Sequence, residues 1–168
     1  MLLIDPSNAK VIVANRAAAD FYGYTTDQMV GMAISEINAL SREQIATAIQ
    51  QAMRKNQNFF LFRHRRSNGE VRDVEVYSNP VRVDGTDILC SIIHDITERR
   101  NTQRRLEAAL EFNRSLIDSM QDGFSILSAD GTPVDANPAF CQMTGFSRDE
   151  MLATKAPFPY WPPEEYAT

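Results

Sequence analysis

Two stretches of this chain carry one pattern. Residues 14–30 and 136–152 align at a constant offset with six identities: Ala14/Ala136, Asn15/Asn137, Ala17/Ala139, Gly23/Gly145, Asp27/Asp149 and Met29/Met151. Tyr24/Phe146, Thr25/Ser147 and Gln28/Glu150 are close substitutes. The spacing is far wider than the repeat of a solenoid, so it means two copies of one domain type. Whatever the first copy folds into, the second must begin the same way. The copies are unequal: the second runs only to Thr168, past Trp161-Pro162-Pro163-Glu164-Glu165, with no counterpart of the later half of the first.

Local signals divide the first copy. Residues 2–4 and 10–14 are short apolar runs around Asp5-Pro6-Ser7-Asn8 and predict an antiparallel hairpin. Asn15 caps a short helix, and Asn137 followed by Pro138 does the same in the second copy. Gly23 and Gly145 stand where those helices must stop. Capping boxes follow at Thr25–Gln28 and Ser147–Glu150, and a third at Ser41–Gln44 opens a helix predicted over about 42–55. Its Ile45, Ile49, Ala52 and Met53 share one face. Strands are expected over 58–66, 70–79 and 87–94, joined by Ser67-Asn68-Gly69 and Asp84-Gly85.

Period two sorts the strand side chains. Phe60, Phe62 and His64 fall together, as do Val74, Val76 and Ser78, and Leu89, Ser91 and Ile93. The opposite face carries Phe59, Leu61, Ile88, Cys90 and Ile92, so both faces need covering. The helix expected over 97–120 spaces Leu106, Leu110, Asn113, Ile117 and Met120 as a heptad seam. Paired helices and a single helix packed on its own domain fit this seam equally well.

This order of elements, closing in Asp95-Ile96-Thr97-Glu98-Arg99, resembles a PAS sensory domain. Ala14-Asn15 and Ala136-Asn137 match the family's end of the second strand. Gly23-Tyr24-Thr25 and Gly145-Phe146-Ser147 match its Gly-aromatic-Ser/Thr junction, and Asp95-Ile96-Thr97 the tripeptide that closes its last strand. The resemblance implies an α+β fold: a five-stranded antiparallel sheet with short helices on one face, followed by a long linker helix. It sets a first PAS domain at 1–96, a linker helix at 97–121 and part of a second PAS domain at 122–168. Asp95, Ile96, Thr97 and Arg99 would then relay signals, with Thr97 capping the helix and Asp95 pairing with Arg99. Half a sheet cannot bury Phe124, Ile126, Phe140 and Phe146 against itself, so the second copy is expected to order against the first or a second chain. The sequence reads as a piece of a longer protein.

Catalytic constellations do not appear. His64 and His94 are not at metal-ligand spacing with cysteines or paired carboxylates, and there is no nucleophile elbow or phosphate loop. The fragment is therefore expected not to be an enzyme, nor to hold a metal. The flavin-linked light sensors of the family carry a reactive cysteine in an Asn-Cys-Arg-Phe-Leu sequence, and haem-binding relatives place a histidine on the longer helix. Neither mark is present, which argues against covalent flavin and haem, whereas a non-covalent flavin needs only shape, stacking and a few polar contacts. No cofactor is evident, and an unidentified small molecule is the remaining candidate. Its pocket would be lined by Ile49, Met53, Phe60, Phe62, His64, Val76, Ser78, Ser91 and Ile93. The competing reading, which we favour on sequence, makes His64 a hydrogen-bonded core histidine and the serines small core residues. Arg63, Arg65 and Arg66 read as a solvated strand face.

The function expected is sensing and relay to an output domain of histidine kinase or diguanylate cyclase type. The alternative is a ligand-free dimerisation module, and a flavin redox sensor ranks last. A homodimer through the linker helix and outer sheet is the expected partner. A net charge of -5 argues against nucleic acid. No run is long enough to span a bilayer, no signal peptide is visible, and Cys90 and Cys141 form no disulfide framework, so a cytoplasmic location is expected.

Overall fold

The computed structural model describes residues 1–54, 57–155 and 158–161. The end of the expected 42–55 helix and the Pro162–Glu165 run lie outside them. The chain divides into two compact units, Met1–Gln103 and Arg104–Thr168.

The first unit opens with β1 (Leu2–Asp5) and β2 (Lys10–Ala14). Asp5 ties the turn between them, accepting from the Ser7 amide at 2.9 Å and from Asn8 Nδ2 at 2.8 Å. Short helices follow: α1 (Arg16–Tyr22), α2 (Thr26–Met29) and α3 (Ile34–Ile37), then the longer α4 (Arg42–Met53). The side chains of Asn15, Thr25 and Ser41 cap α1, α2 and α4 as their sequences predict. β3 (Phe59–Arg65), β4 (Val71–Val83) and β5 (Thr86–Asp95) complete an antiparallel sheet in the order β2-β1-β5-β4-β3. This is the α+β fold the sequence implies.

Gly23 is required twice over. Its φ is +78°, and a Cβ there would lie 2.4 Å from Ser67 Oγ, because the Ser67 amide bonds to the Tyr22 carbonyl at 2.8 Å. The β3–β4 hairpin is thereby fastened to the end of α1.

β4 runs past its expected end at residue 79 and includes Pro80. β3 pairs with β4 only as far as Tyr77, so beyond that point β4 is an edge and proline's missing N–H costs no ladder bond. The core lies between α1–α4 and one sheet face, around Leu2, Tyr22, Met29, Ile37, Ile45 and Leu89.

α5 (Thr97–Ser119) follows, with none of its side chains buried. In the second unit, β6 (Ser125–Leu127) pairs with β7 (Pro133–Ala136), followed by α6 (Pro138–Thr144) and α7 (Arg148–Leu152). Asn137, Gly145 and Ser147 repeat the capping of the first copy. Phe124 and Ile126 are exposed, but the unit gathers a small cluster of its own. Phe158 is buried, with Tyr160 stacked on it at 5.3 Å and Phe140 edge-on to Tyr160 at 5.5 Å. Phe140 and Phe146 are only half-buried within the unit, the later aromatics covering part of their surface. Among the described residues no helix is long and apolar enough to cross a membrane.

Candidate functional site

Between α4 and the inner sheet face lies a cavity with about 50 Å³ open to the centres of water molecules. Ile49, Phe60, Phe62, His64, Val76, Ser78, Ser91 and Ile93 all line it. Met53 does not. The inward stripe of α4 is Ile45, Ala48, Ile49 and Ala52, at helical spacing, and Met53 packs beside the core instead. Leu2 and Ile4 of β1 and Asn38 after α3 also contribute to the lining. Pairing explains the strand residues: Leu2 is the cross-strand partner of Ser91 and Ile4 of Leu89.

His64 sits in a buried chain of three polar groups. Tyr22 Oη is 2.7 Å from Nδ1, and Asn38 Nδ2 is 3.2 Å from Nε2. Asn38 Oδ1 accepts from the Leu40 amide at 2.9 Å, which turns the amide nitrogen toward the imidazole. Nε2 must then accept, so the ring proton resides on Nδ1 and is donated to Tyr22. Burial lowers the His64 pKa from 6.5 to about 4, and burial raises that of Tyr22. The ring is therefore neutral at pH 7. It is a hydrogen-bonded core histidine and also a wall of the cavity, so the two readings of its sequence do not compete.

Ser78 and Ser91 face each other across β4 and β5 with their hydroxyls 2.8 Å apart. Both are buried, at 5% and 2% exposure.

The junction of sheet and α5 is tied differently from the expected Asp95–Arg99 pair. Asp95 instead bonds to Arg72, at 3.4 Å, and accepts from the Thr97 amide at 2.9 Å. Asp95 thus satisfies the first amide of α5, the role assigned to Thr97. Thr97 Oγ1 accepts from the Asp73 amide at 3.0 Å, and the Ile96 amide donates to the Asp73 carbonyl at 2.9 Å. Arg99 pairs with Glu75, and Arg100 with Asp73 at 3.3 Å. One face of β4 therefore holds the first turn of the helix.

On the outer sheet face Phe59, Leu61 and Ile92 are exposed, while Ile88 and Cys90 are half-buried. Tyr77 completes the apolar patch, its ring 5.1 Å from that of Phe59. Leu106, Leu110 and Asn113 on α5 are exposed and Ile117 is half-buried. Tyr22 and Asn38, which orient His64, carried no local signal in the sequence.

A family model described as PAS fold matches residues 3–101, more than half of the chain. The chain belongs to the PAS family. A second PAS domain model matches residues 111–167, so the PAS repeat read from the sequence is recovered. Diguanylate cyclase DgcM of Escherichia coli (strain K12) is 35% identical over 114 residues, which are 65% of this PAS chain and 27% of DgcM. The C4-dicarboxylate transport sensor protein DctS of Rhodobacter capsulatus is 30% identical over 66 residues, 39% of this chain and 10% of DctS. The chain thus spans about a quarter or less of the curated relatives it matches. Among solved structures, the PAS domain of an HTR-like protein from Haloarcula marismortui matches with TM-score 0.52 and 21% identity, over 56% of this chain and 78% of that one. An RNA-binding light-oxygen-voltage receptor matches with TM-score 0.54 and 21% identity, over 66% of this chain and 33% of that one.

That last match corrects the expectation against covalent flavin. A light-oxygen-voltage receptor thus shares this fold. A short cysteine motif cannot report on shape and stacking, which are what hold a flavin non-covalently. Flavin therefore belongs among the ligands to be tested. The chain is a PAS sensory module and not itself an enzyme.

Proposed function

We propose that the first PAS unit senses a small molecule in the cavity beneath α4 and passes the change to α5. The observation that carries this reading is continuity. Ser78 and Ser91 reach the cavity from β4 and β5, and the same two strands supply Arg72, Asp73, Glu75 and Asp95 at the root of the helix. A ligand that shifts the strands against each other acts on that root. Asp95, Ile96, Thr97 and Arg99 are the relay, with residues 97–121 as linker between PAS domains at 1–96 and 122–168. The similarity to DgcM favours a diguanylate cyclase as the output. The protein acts in the cytoplasm.

The exposed seam of Leu106 and Leu110, with Leu61 and Ile92 on the sheet, supports a second reading, a dimerisation module whose partner is another copy of this chain. The C4-dicarboxylates in the name of DctS are dianions, and among the described residues no cationic side chain lines the cavity.

A native mass spectrum of the purified chain, with its visible spectrum, separates the readings. Added mass on each chain supports the sensor, and a yellow chromophore would identify that mass as flavin. A dimer at bare polypeptide mass that also fails to take up any small molecule transfers the case to the dimerisation module.

A further inference from the structure

We infer that the cavity takes a small uncharged molecule carrying a hydrogen-bond acceptor, held by the free O–H of the Ser78–Ser91 pair. The inference rests on the cavity being the sensing site and adds the chemistry of its ligand. Each serine brings one hydroxyl proton. The single contact of 2.8 Å between the two oxygens uses one of them. The other has no acceptor among the described residues, although both side chains are buried and both line the cavity. A buried donor left unmade is costly, so the site favours a guest that accepts.

The remaining lining decides the guest's charge. It is otherwise aliphatic and aromatic, apart from Asn38 and His64, which are bonded to each other. The second ring nitrogen of His64 is taken by Tyr22. Nothing there balances an anion or a cation, and an unpaired charge in such a site is expelled. A purely apolar guest fits the walls but leaves the serine proton unmade. Size follows from volume. With about 10–15 Å³ needed per water, the 50 Å³ present admits about three to five heavy atoms unless α4 moves.

Three molecules of nearly one shape test this: acetone, acetate and isobutene, which differ in charge and in the acceptor. Each is titrated into the full ¹⁵N-labelled chain at pH 7 while the amides of Val76–Ser78 and Leu89–Ile93 are followed. Acetone should shift these amides and acetate should not. Replacing both serines (Ser78→Ala with Ser91→Ala) should weaken acetone about tenfold, the worth of one hydrogen bond, and leave isobutene no weaker. Either single replacement leaves one hydroxyl with its proton free, so acetone should bind it within about twofold of the parent. Acetone binding that is indifferent to the double replacement, or acetate binding as well as acetone, overturns the inference while the cavity stands. If neither acetone nor isobutene moves those amides, the cavity reading itself fails. The singly substituted chains keep the test open if the doubly substituted one does not fold.

Discussion

Acid should destabilise this protein through His64 in a way that a single substitution removes. The folded state holds the ring neutral, with its pKa lowered by burial from 6.5 to about 4. Below pH 6.5 the unfolded chain takes up a proton that the folded chain refuses until about pH 4. The unfolded state therefore binds more protons in that window, and stability falls as pH falls through it. The slope reaches about 1.4 kcal/mol per pH unit only once the unfolded ring is mostly protonated, so between pH 6.5 and 4.5 the loss is about 2 kcal/mol. His64→Phe abolishes this component. It also strands the Tyr22 hydroxyl and the Asn38 amide, which lowers stability at every pH, so the informative quantity is the difference in slope. Urea unfolding of the full chain and the variant, followed by circular dichroism at pH 7.5 and 4.5, measures it. The other titratable groups are common to both chains and drop out of the difference. The parent should lose about 2–3 kcal/mol more than the variant between the two pH values. Equal losses in both chains would show that His64 is not held neutral in the core, and the burial argument would be wrong. His64→Gln serves if the phenylalanine variant does not fold.

The two repeated glycines should not respond alike to alanine. Gly145→Ala meets open space and should cost about 1 kcal/mol for its positive φ, whereas Gly23→Ala also drives into Ser67 and should cost at least about 1 kcal/mol more in urea unfolding. Asn137→Ala should cost more than Asn15→Ala. Asn137 accepts from Phe124 and Phe140 and donates to the carbonyls of Ile117 and Asp122, whereas Asn15 accepts from Ala18 and the terminal amine; the expected losses are about 3 against about 1 kcal/mol. Arg99→Ala together with Arg100→Ala should speed hydrogen exchange in the first turns of α5 several-fold with little change in global stability, since exposed ion pairs contribute only about 0.2–1 kcal/mol each. Ile92→Asp should yield monomers in sedimentation if the outer sheet holds a second copy, and an unchanged mass rules that surface out.

Local chemistry was the legible part of this fold. Asn15, Gly23, Thr25 and Ser41 act within a few residues of themselves, so their caps followed from spacing, and strand parity placed Phe60, His64, Ser78 and Ser91 on one wall. What escaped was long-range. Tyr22 and Asn38 lie 42 and 26 residues from the histidine they orient, and nothing in either segment names its partner. Arg99 has Asp95 one helical turn away in sequence but meets Glu75, 24 residues distant, because the helix leaves the sheet across β4. Met53 shows the limit of a periodic reading. It has the right phase to within one residue, yet the narrower stripe through Ala52 takes the cavity wall. The missing cysteine motif likewise could not decide the flavin question.

The unequal hairpins of the two copies bear on how the chain avoids folding wrongly. Tandem domains with matching segments invite exchange, in which one copy's strands take the other's place in a sheet. Here the shared residues are concentrated in caps, turns and short helices. The strands have diverged: β1 buries Leu2 and Ile4, whereas at the matching positions of β6 Ser125 is half-buried and Leu127 exposed, and β7 begins with Pro133 where β2 begins with the two-residue run Lys10-Val11. Seating β6–β7 beside β5 would put Ser125 where Leu2 stands and would lose the bond that the Val11 amide makes to the Met32 carbonyl at 3.0 Å, since Pro133 has no N–H. Each nascent hairpin is thereby biased toward its own sheet, and the divergence of the strands works against the exchange that duplication invites.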